Sequence, residues 1–537
     1  MTAAALARAV ILAWGWRRTA LAFGAGALAA FAMPPFGAFP VLAISLPVLV
    51  WLVDGAAAAG GGWRTLMAAA RTGWWFGFGY HLAGLWWIGA AFLVEADRFA
   101  WLLPVAVTLL PAGLALFTAI GTLIARLLWR PGARRILALA LGLTIAELLR
   151  GTVLTGFPWN LYGYALTQYP WLAQGAAYVG VYGLTLLTVI VFASPSVLGD
   201  EDLSPMRRFA VPAGAALTLM CLALVGGWRL SGADTGSVPG VRLRIVQPDI
   251  PQDQRFRPEA RDEILGRYAQ LSDKPTSPER SGIRDVTHVI WPESAFPFFL
   301  IWDREALAKI ADLVPPGVTL ITGAARPEEP LPGRREPRVF NSAYVIDHEG
   351  TIGQTYDKVH LVPFGEYLPF QDRLEAMGLE ALTRQRGGFS AGDRRRTLAI
   401  PGAPPAGILI CYEVVFPGAV TASDRRPQWL INVTNDAWFG MTPGPYQHLH
   451  QTAVRALEEG LPMVRAANNG VSAVIDPYGR ILRALPLGAR DVLDSDLPRA
   501  LPPTVFSRAG HVPLAVVLGG IVMILLRRGR QRIIQST

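Results

Sequence analysis

The sequence predicts a two-part protein: a multi-pass α-helical membrane domain of about eight helices, joined to a layered α/β sandwich. Three observations predict it. Long apolar runs crowd into residues 1–229 and return once near 510–526. Arginines gather at alternate ends of those runs. Between them, residues 230–508 read as short strands alternating with helical patterns, as a water-soluble domain does.

A bilayer-crossing helix needs roughly 20 predominantly apolar residues. Candidate spans lie at 19–33, 37–53, 72–93, 99–127, 134–149, 170–194, 209–228 and 510–526. Arg17 and Arg18 precede the first, and Arg64 and Arg71 separate the second from the third. Arg130, Arg134 and Arg135 follow the fourth, Arg207 and Arg208 the sixth, and Arg527, Arg528, Arg530 and Arg532 the last. If every run crosses once, all these groups face one side, which the positive-inside rule makes cytoplasmic. The opposite loops, such as MPPFGAFP (33–40) and VEADRF (94–99), are poor in Lys and Arg. Both chain ends are therefore expected in the cytoplasm, with residues 230–508 on the outer face and 509–537 forming a closing helix and basic tail. The net charge of +9 largely reflects this sidedness. With no aromatic or motif support for a basic binding face, nucleic acid is excluded as a partner.

In the outer domain, VRLRIVQ (241–247) alternates apolar and polar residues, as a half-buried strand does. THVIW (287–291), VTLITGA (318–324), SAYVID (342–347), GILIC (407–411), WLINVT (429–434) and SAVIDP (472–477) are further strand candidates. Helical patterns fall at 258–272, 302–313 and 446–460. The Arg-rich stretches PGRREPR (332–338) and GDRRR (392–396) read as solvated loops.

Three polar residues stand at the ends of strand-like runs: Glu293 after VIWP, Lys358 after TIGQTYD and Cys411 after GILI. Strand ends and the loops they hold are a common place for catalysis. The residue types also suit one chemistry. A free thiol has a pKa of about 8.5, so little thiolate exists at pH 7. A carboxylate can take its proton during attack, and an ammonium can stabilise both thiolate and oxyanion. Singly, each has an ordinary reading: Cys411 as a small core residue, Glu293 as a cap, Lys358 as a surface charge. The other cysteine, Cys221, lies inside the seventh span.

The motifs WPESA (291–295), YDKVHLVPFGEYLP (356–369) and CYE (411–413) resemble the nitrilase, or carbon–nitrogen hydrolase, superfamily. That resemblance implies an α-β-β-α sandwich with a triad of Glu293 (general base), Lys358 (electrostatic partner) and Cys411 (nucleophile). It also implies a second glutamate, Glu366, beside the lysine. ELLRGTVLTGFPWNLYGYA (147–165), NDAWFG (435–440), GPYQHL (444–449) and NNGVSAVIDPYG (468–479) are similar to the apolipoprotein N-acyltransferase family. The resemblance spans nearly the whole chain. It implies transfer of an acyl chain from a phospholipid, typically phosphatidylethanolamine, to the α-amino group of a diacylglyceryl-cysteine on an apolipoprotein. The expected setting is a bacterial inner membrane, with the catalytic domain periplasmic, a monomer, and no metal or cofactor. Tyr412 would lend its backbone N–H to the oxyanion, Glu413 would orient Lys358 or form a structural ion pair, and Asn341 would order a neighbouring loop. Trp438, Phe439 and Phe256 are candidates for gating lipid entry. Phe256 stands where the family often has tryptophan, and Pro248-Asp249 where Gly-Asn is expected.

Other polar residues carry weaker readings. Glu147 and Arg150 are spaced to pair across a helical turn, while Trp159, Tyr162 and Tyr164 read as interfacial aromatics. His448 and His450 lack a third ligand at a metal spacing. Two rivals share some features. A membrane-tethered amidase would use the triad with water as acceptor, which leaves the preceding helices unexplained. A transporter with a non-catalytic outer domain would bring polar or broken helices to mid-membrane, yet few ionisable residues such as His81 lie within the spans.

Overall fold

The computed structural model describes residues 2–234, 236–252, 254, 257–279, 281–328, 338–370, 373, 388–422 and 424–527. Phe256, residues 332–337 and the tail arginines Arg528, Arg530 and Arg532 lie outside them. The chain divides into two compact units. One takes residues 1–86, 107–227 and 509–537, and the other residues 87–106 and 228–508.

Among the described residues, six helical stretches are long and apolar enough to cross a membrane: Phe39–Ala59, Gly62–Leu93, Ala96–Leu127, Arg134–Thr155, Ala176–Gly199 and Pro205–Ser231. Two shorter helices, Gly15–Ala30 and Val512–Leu526, occupy the first and last expected spans. The third helix starts at Gly62 rather than near 72, so it includes Arg64 and Arg71. Gly60, Gly61 and Gly62 at positive φ break the chain there. Long guanidinium side chains can then reach a polar layer from inside the helix. Helix Gly15–Ala30 lies against Gly62–Leu85 with backbones in close approach. A Cβ on Gly26 would overlap the carbonyl of Phe76, and one on Gly79 that of Phe23. Such small-residue contacts are how apolar helices pack where no hydrophobic force drives them together.

Glu147 and Arg150 pair at 2.5 Å. Arg150 also donates to the carbonyls of Phe157 and Trp159, at 2.5 and 2.8 Å. The interfacial reading of Trp159, Tyr162 and Tyr164 is corrected. All three are buried, and Tyr162 stacks on Tyr80 with ring centroids 5.1 Å apart. The buried guanidinium explains the difference, since it draws the 157–159 backbone inward.

Among the described residues, the second unit holds two six-stranded sheets. The first runs in the order β12 (Asp491–Pro498), β1 (Ser237–Gln247), β2 (His288–Ile290), β3 (Thr319–Pro327), β4 (Val339–Ile346), β5 (Ile352–Asp357). The second runs β11 (Ile481–Ala484), β10 (Ala473–Ile475), β9 (Met463–Ala467), β8 (Trp429–Thr434), β7 (Ala406–Ile410), β6 (Thr397–Leu398). Alternate residues of both sheets, including Leu243, Ile245, Ile321, Ile408, Ile431 and Val464, interleave in one apolar core. Helices Arg261–Ser272 and Arg304–Leu313 bury the outer face of the first sheet. Helix Pro443–Glu459 packs on β9 of the second. The fold is thus the α-β-β-α sandwich. Strands β1, β2 and β3 are mutually parallel, as are β7, β8 and β9. Side chains at the carboxyl ends of parallel strands open onto a crevice, the usual place for a site in such sheets.

Candidate active site

Glu293 lies in the turn that leaves β2. That turn is fastened to β3, where Ala295 N donates to Gly323 O at 2.8 Å and Gly323 N to Pro292 O at 3.1 Å. Gly323 is required there, because a Cβ would sit 2.6 Å from the Cα of Glu293. Lys358 follows β5, and its N–H donates to the carbonyl of Asn341 on β4 at 2.8 Å. Cys411 directly follows β7, at the start of a short 3₁₀ turn, with φ of 49°.

These elements bring the side chains together out of water. Lys358 is 1% exposed, Glu293 6% and Cys411 9%. Lys358 Nζ donates to Glu366 at 2.9 Å and lies 3.6 Å from Glu293 Oε1. Asn341 bridges the two carboxylates, its Nδ2 donating to Glu293 Oε1 and Glu366 Oε1 at 2.7 Å each. The backbone N–H of Asn435 donates to Glu293 Oε2, and that of Val362 to Glu366 Oε2, at 2.9 and 2.8 Å.

The surroundings shift the three groups in different ways. Burial raises the pKa of Cys411 well above the ordinary thiol value; Glu293 adds to the rise and Lys358 opposes it. The thiol is protonated at rest. Burial also raises the Glu293 carboxyl, with Lys358 working against that rise and Glu366 with it. For Lys358, burial disfavours the charge, but the carboxylates of Glu366 and Glu293 outweigh it and hold the amine protonated. A buried thiol, a carboxyl held above its usual range and an ammonium fixed between two glutamates are equipped for acyl transfer.

Glu413 is fully buried and does not hydrogen-bond the Lys358 amine. Its carboxylate accepts from the backbone N–H of Val359, His360 and Ile410, at 2.9, 3.2 and 2.9 Å, and from the Tyr356 hydroxyl. Arg395 stands 3.6 Å away. Glu413 therefore ties the residue after Lys358 to the residue before Cys411. Tyr412 is buried, with its ring edge-on to Phe416 at 5.1 Å. Phe439 is half-buried and meets Trp87 edge-on at 4.7 Å; Trp438 is half-buried beside it. Trp87 donates to Gln447 at 3.0 Å.

Sequence reasoning missed a buried group behind the nucleophile. His448 Nε2 faces the carbonyl of Cys411 at 3.3 Å. Its Nδ1 lies 2.9 Å from Asp436 Oδ1, and Arg465 pairs with Asp436 at 2.5 Å. Burial lowers the His448 pKa, and Arg465 lowers it further. Asp436 is held well below the carboxylate range, because Arg465 and His448 outweigh its burial. The available signal was Arg465 within the apolar strand MVRAA: a charge in a buried strand demands a partner.

Two family descriptions match the chain: carbon-nitrogen hydrolase over residues 242–501, and the apolipoprotein N-acyltransferase N-terminal domain over residues 25–194. An apolipoprotein N-acyltransferase of Rhodopseudomonas palustris is 55% identical over 525 residues, 98% of each chain. Those of Bradyrhizobium diazoefficiens and Brucella suis are 53% and 46% identical, over 97% and 96% of each chain. Among solved structures, an amidase of the nitrilase superfamily from Nesterenkonia aligns with 53% of this chain and 98% of its own, at 19% identity and a TM-score of 0.36. A membrane part of apolar helices, an α-β-β-α sandwich and these full-length relatives agree, and the chain belongs to the apolipoprotein N-acyltransferase family.

Proposed function

We propose that the chain transfers an acyl group from a membrane phospholipid, phosphatidylethanolamine above all, to the terminal α-amine of a diacylglyceryl-cysteine apolipoprotein, through a thioester on Cys411. The observation that carries this reading is the convergence of Glu293, Lys358 and Cys411 in one buried pocket. Glu293 takes the thiol proton as the sulfur attacks the ester carbonyl. The developing oxyanion meets the Lys358 ammonium and the Tyr412 N–H. The C–O bond then breaks, the proton on Glu293 passes to the leaving alkoxide, and lysophospholipid departs.

In the second half the lipoprotein amine attacks the thioester. An α-amine has a pKa of about 8, so part of it is unprotonated near pH 7. Glu293 takes the amine proton and returns it to the departing sulfur, giving ping-pong behaviour. Glu366 and Asn341 hold Lys358 and Glu293 apart from solvent, and Glu413 fixes the strand ends that carry Lys358 and Cys411. Trp438 and Phe439 line the approach for the acyl chain.

Residues 1–229 act as the membrane domain, 230–508 as a periplasmic catalytic domain, and 509–537 as the closing helix and cytoplasmic tail, in a bacterial inner membrane and as a monomer. The arginine sidedness supports this orientation. Intact-mass measurement of wild type and Cys411→Ala with phosphatidylethanolamine tests the chemistry. Wild type gains one acyl mass that hydroxylamine removes, and the mutant gains none. Equal labelling of both removes Cys411 from the reaction. Amide hydrolysis without any phospholipid acylation favours the amidase.

A further inference from the structure

The peptide bond between Cys411 and Tyr412 is gripped from behind. Cys411 has φ of 49°, a left-handed conformation that a non-glycine residue keeps only where its surroundings impose it. Its carbonyl lies 3.3 Å from His448 Nε2. A carbonyl only accepts, so a hydrogen bond here needs Nε2–H, and a neutral ring then leaves Nδ1 to accept from Arg465 Nη2–H. The other ring nitrogen sits 2.9 Å from Asp436 Oδ1 and 3.0 Å from Arg465 Nη2. Arg465 also donates to Asp436 Oδ2 at 2.5 Å, to Thr452 at 3.2 Å and to Asn432. Thr434 donates to Asp436 Oδ1 at 3.1 Å. His448, Asp436 and Arg465 are each 0% exposed. The ring is thus fixed jointly by helix Pro443–Glu459, the turn after β8, and β9.

A trans peptide is planar, with C=O and N–H pointing in opposite directions. Fixing the Cys411 carbonyl on one side therefore aims the Tyr412 N–H to the other. We propose that His448 is a positioning residue for acyl transfer: its hydrogen bond to the Cys411 carbonyl sets this peptide so that the Tyr412 N–H meets the oxyanion of the attacked ester. The inference rests on the acyl-transfer reading above. It makes His448 matter to oxyanion stabilisation more than to the reactivity of the thiol itself.

The test compares full-length wild type, His448→Phe, which fills the volume without a donor, and His448→Gln, which keeps an N–H at similar reach. All carry Cys221→Ser, so only Cys411 reports. Two rates are measured in mixed micelles: single-turnover acylation of Cys411 by phosphatidylethanolamine, and its alkylation by iodoacetamide, which forms no oxyanion. Loss of one oxyanion donor costs about 10²–10³ in rate, so His448→Phe should acylate about 100-fold more slowly while alkylation changes less than about 3-fold. His448→Gln should recover most of the acylation. Undiminished acylation in His448→Phe, equal losses in both rates, or no recovery in His448→Gln overturns the proposal. If His448→Phe does not fold, wild type labelled with ¹⁵N at histidine decides. The ring signal that His448→Gln removes must carry its proton on Nε2, and a bare Nε2 overturns the proposal. A wild type that takes no acyl group from phospholipid would instead sink the acyl-transfer reading, while the ring proton would still report on His448.

Discussion

Asn341 serves two carboxylates with one amide, and that economy sets its sensitivity. Asn341→Leu leaves Glu293 and Glu366 each short of a buried donor. A hydrogen bond to a charged group contributes roughly 1.5–3 kcal/mol, so a clear drop in thermal unfolding temperature is expected together with a large loss of Cys411 acylation. Unchanged stability would mean that water replaces the amide. The pH dependence follows from the same pocket. Because Glu293 titrates above its ordinary value, the acylation rate should fall on the acid side at a pH higher than the usual glutamate range of about 4.3. Asp436 has the opposite sign. Its folded pKa is depressed, so its stabilisation is complete above the ordinary aspartate value of about 3.9 and is lost as pH falls through the folded value. Acid unfolding of Asp436→Asn, followed by circular dichroism, should show a flatter pH dependence than wild type over that range.

At the scale of elements, β3 and the turn after β2 touch where only glycine fits. Gly323→Ala places a methyl 2.6 Å from the Glu293 Cα, so the turn must move. A displacement near 1 Å of a catalytic group can cost about 10²-fold, and acylation should fall far more than stability does. A fully active Gly323→Ala enzyme would show that the base tolerates the shift.

The strands that were legible in the sequence are those with apolar alternation or continuous apolar runs: β1, β2, β3, β4, β7, β8 and β10. Among the others, β5 showed only as the strand-like run before Lys358, and β6, β9, β11 and β12 were not read as strands. β5 and β11 are exposed edges, so IGQTYD and ILRA carry little burial pattern. β9 and β12 contain buried charges, Arg465 and Asp494, whose partners Asp436 and Arg244 come from distant parts of the chain. Local pattern reads such residues as surface. The triad was visible because Glu293 and Cys411 end readable strands, Lys358 ends a strand-like run, and all three sit in recognisable motifs. The group behind Cys411 was not, because residues 436, 448 and 465 meet only once β8, the following helix and β9 have stacked.

For the whole molecule, the arginine groups predict which way the catalytic unit faces. In a protein carrying Cys221→Ser and Cys411→Ala, a Glu349→Cys label site on an exposed turn should react with a membrane-impermeant maleimide in intact spheroplasts. Labelling only after permeabilisation would reverse the proposed orientation. The segment 87–106 adds a consequence for biogenesis. It lies between long apolar helices in sequence, yet it belongs to the catalytic unit, where Trp87 is anchored on Gln447 and a Cβ at Gly444 would crowd its ring. The ribosome delivers that indole 360 residues before its partner exists. The sandwich cannot close until β12 has been made to pair with β1, and a fragment beginning at residue 228 would be born with an open seam.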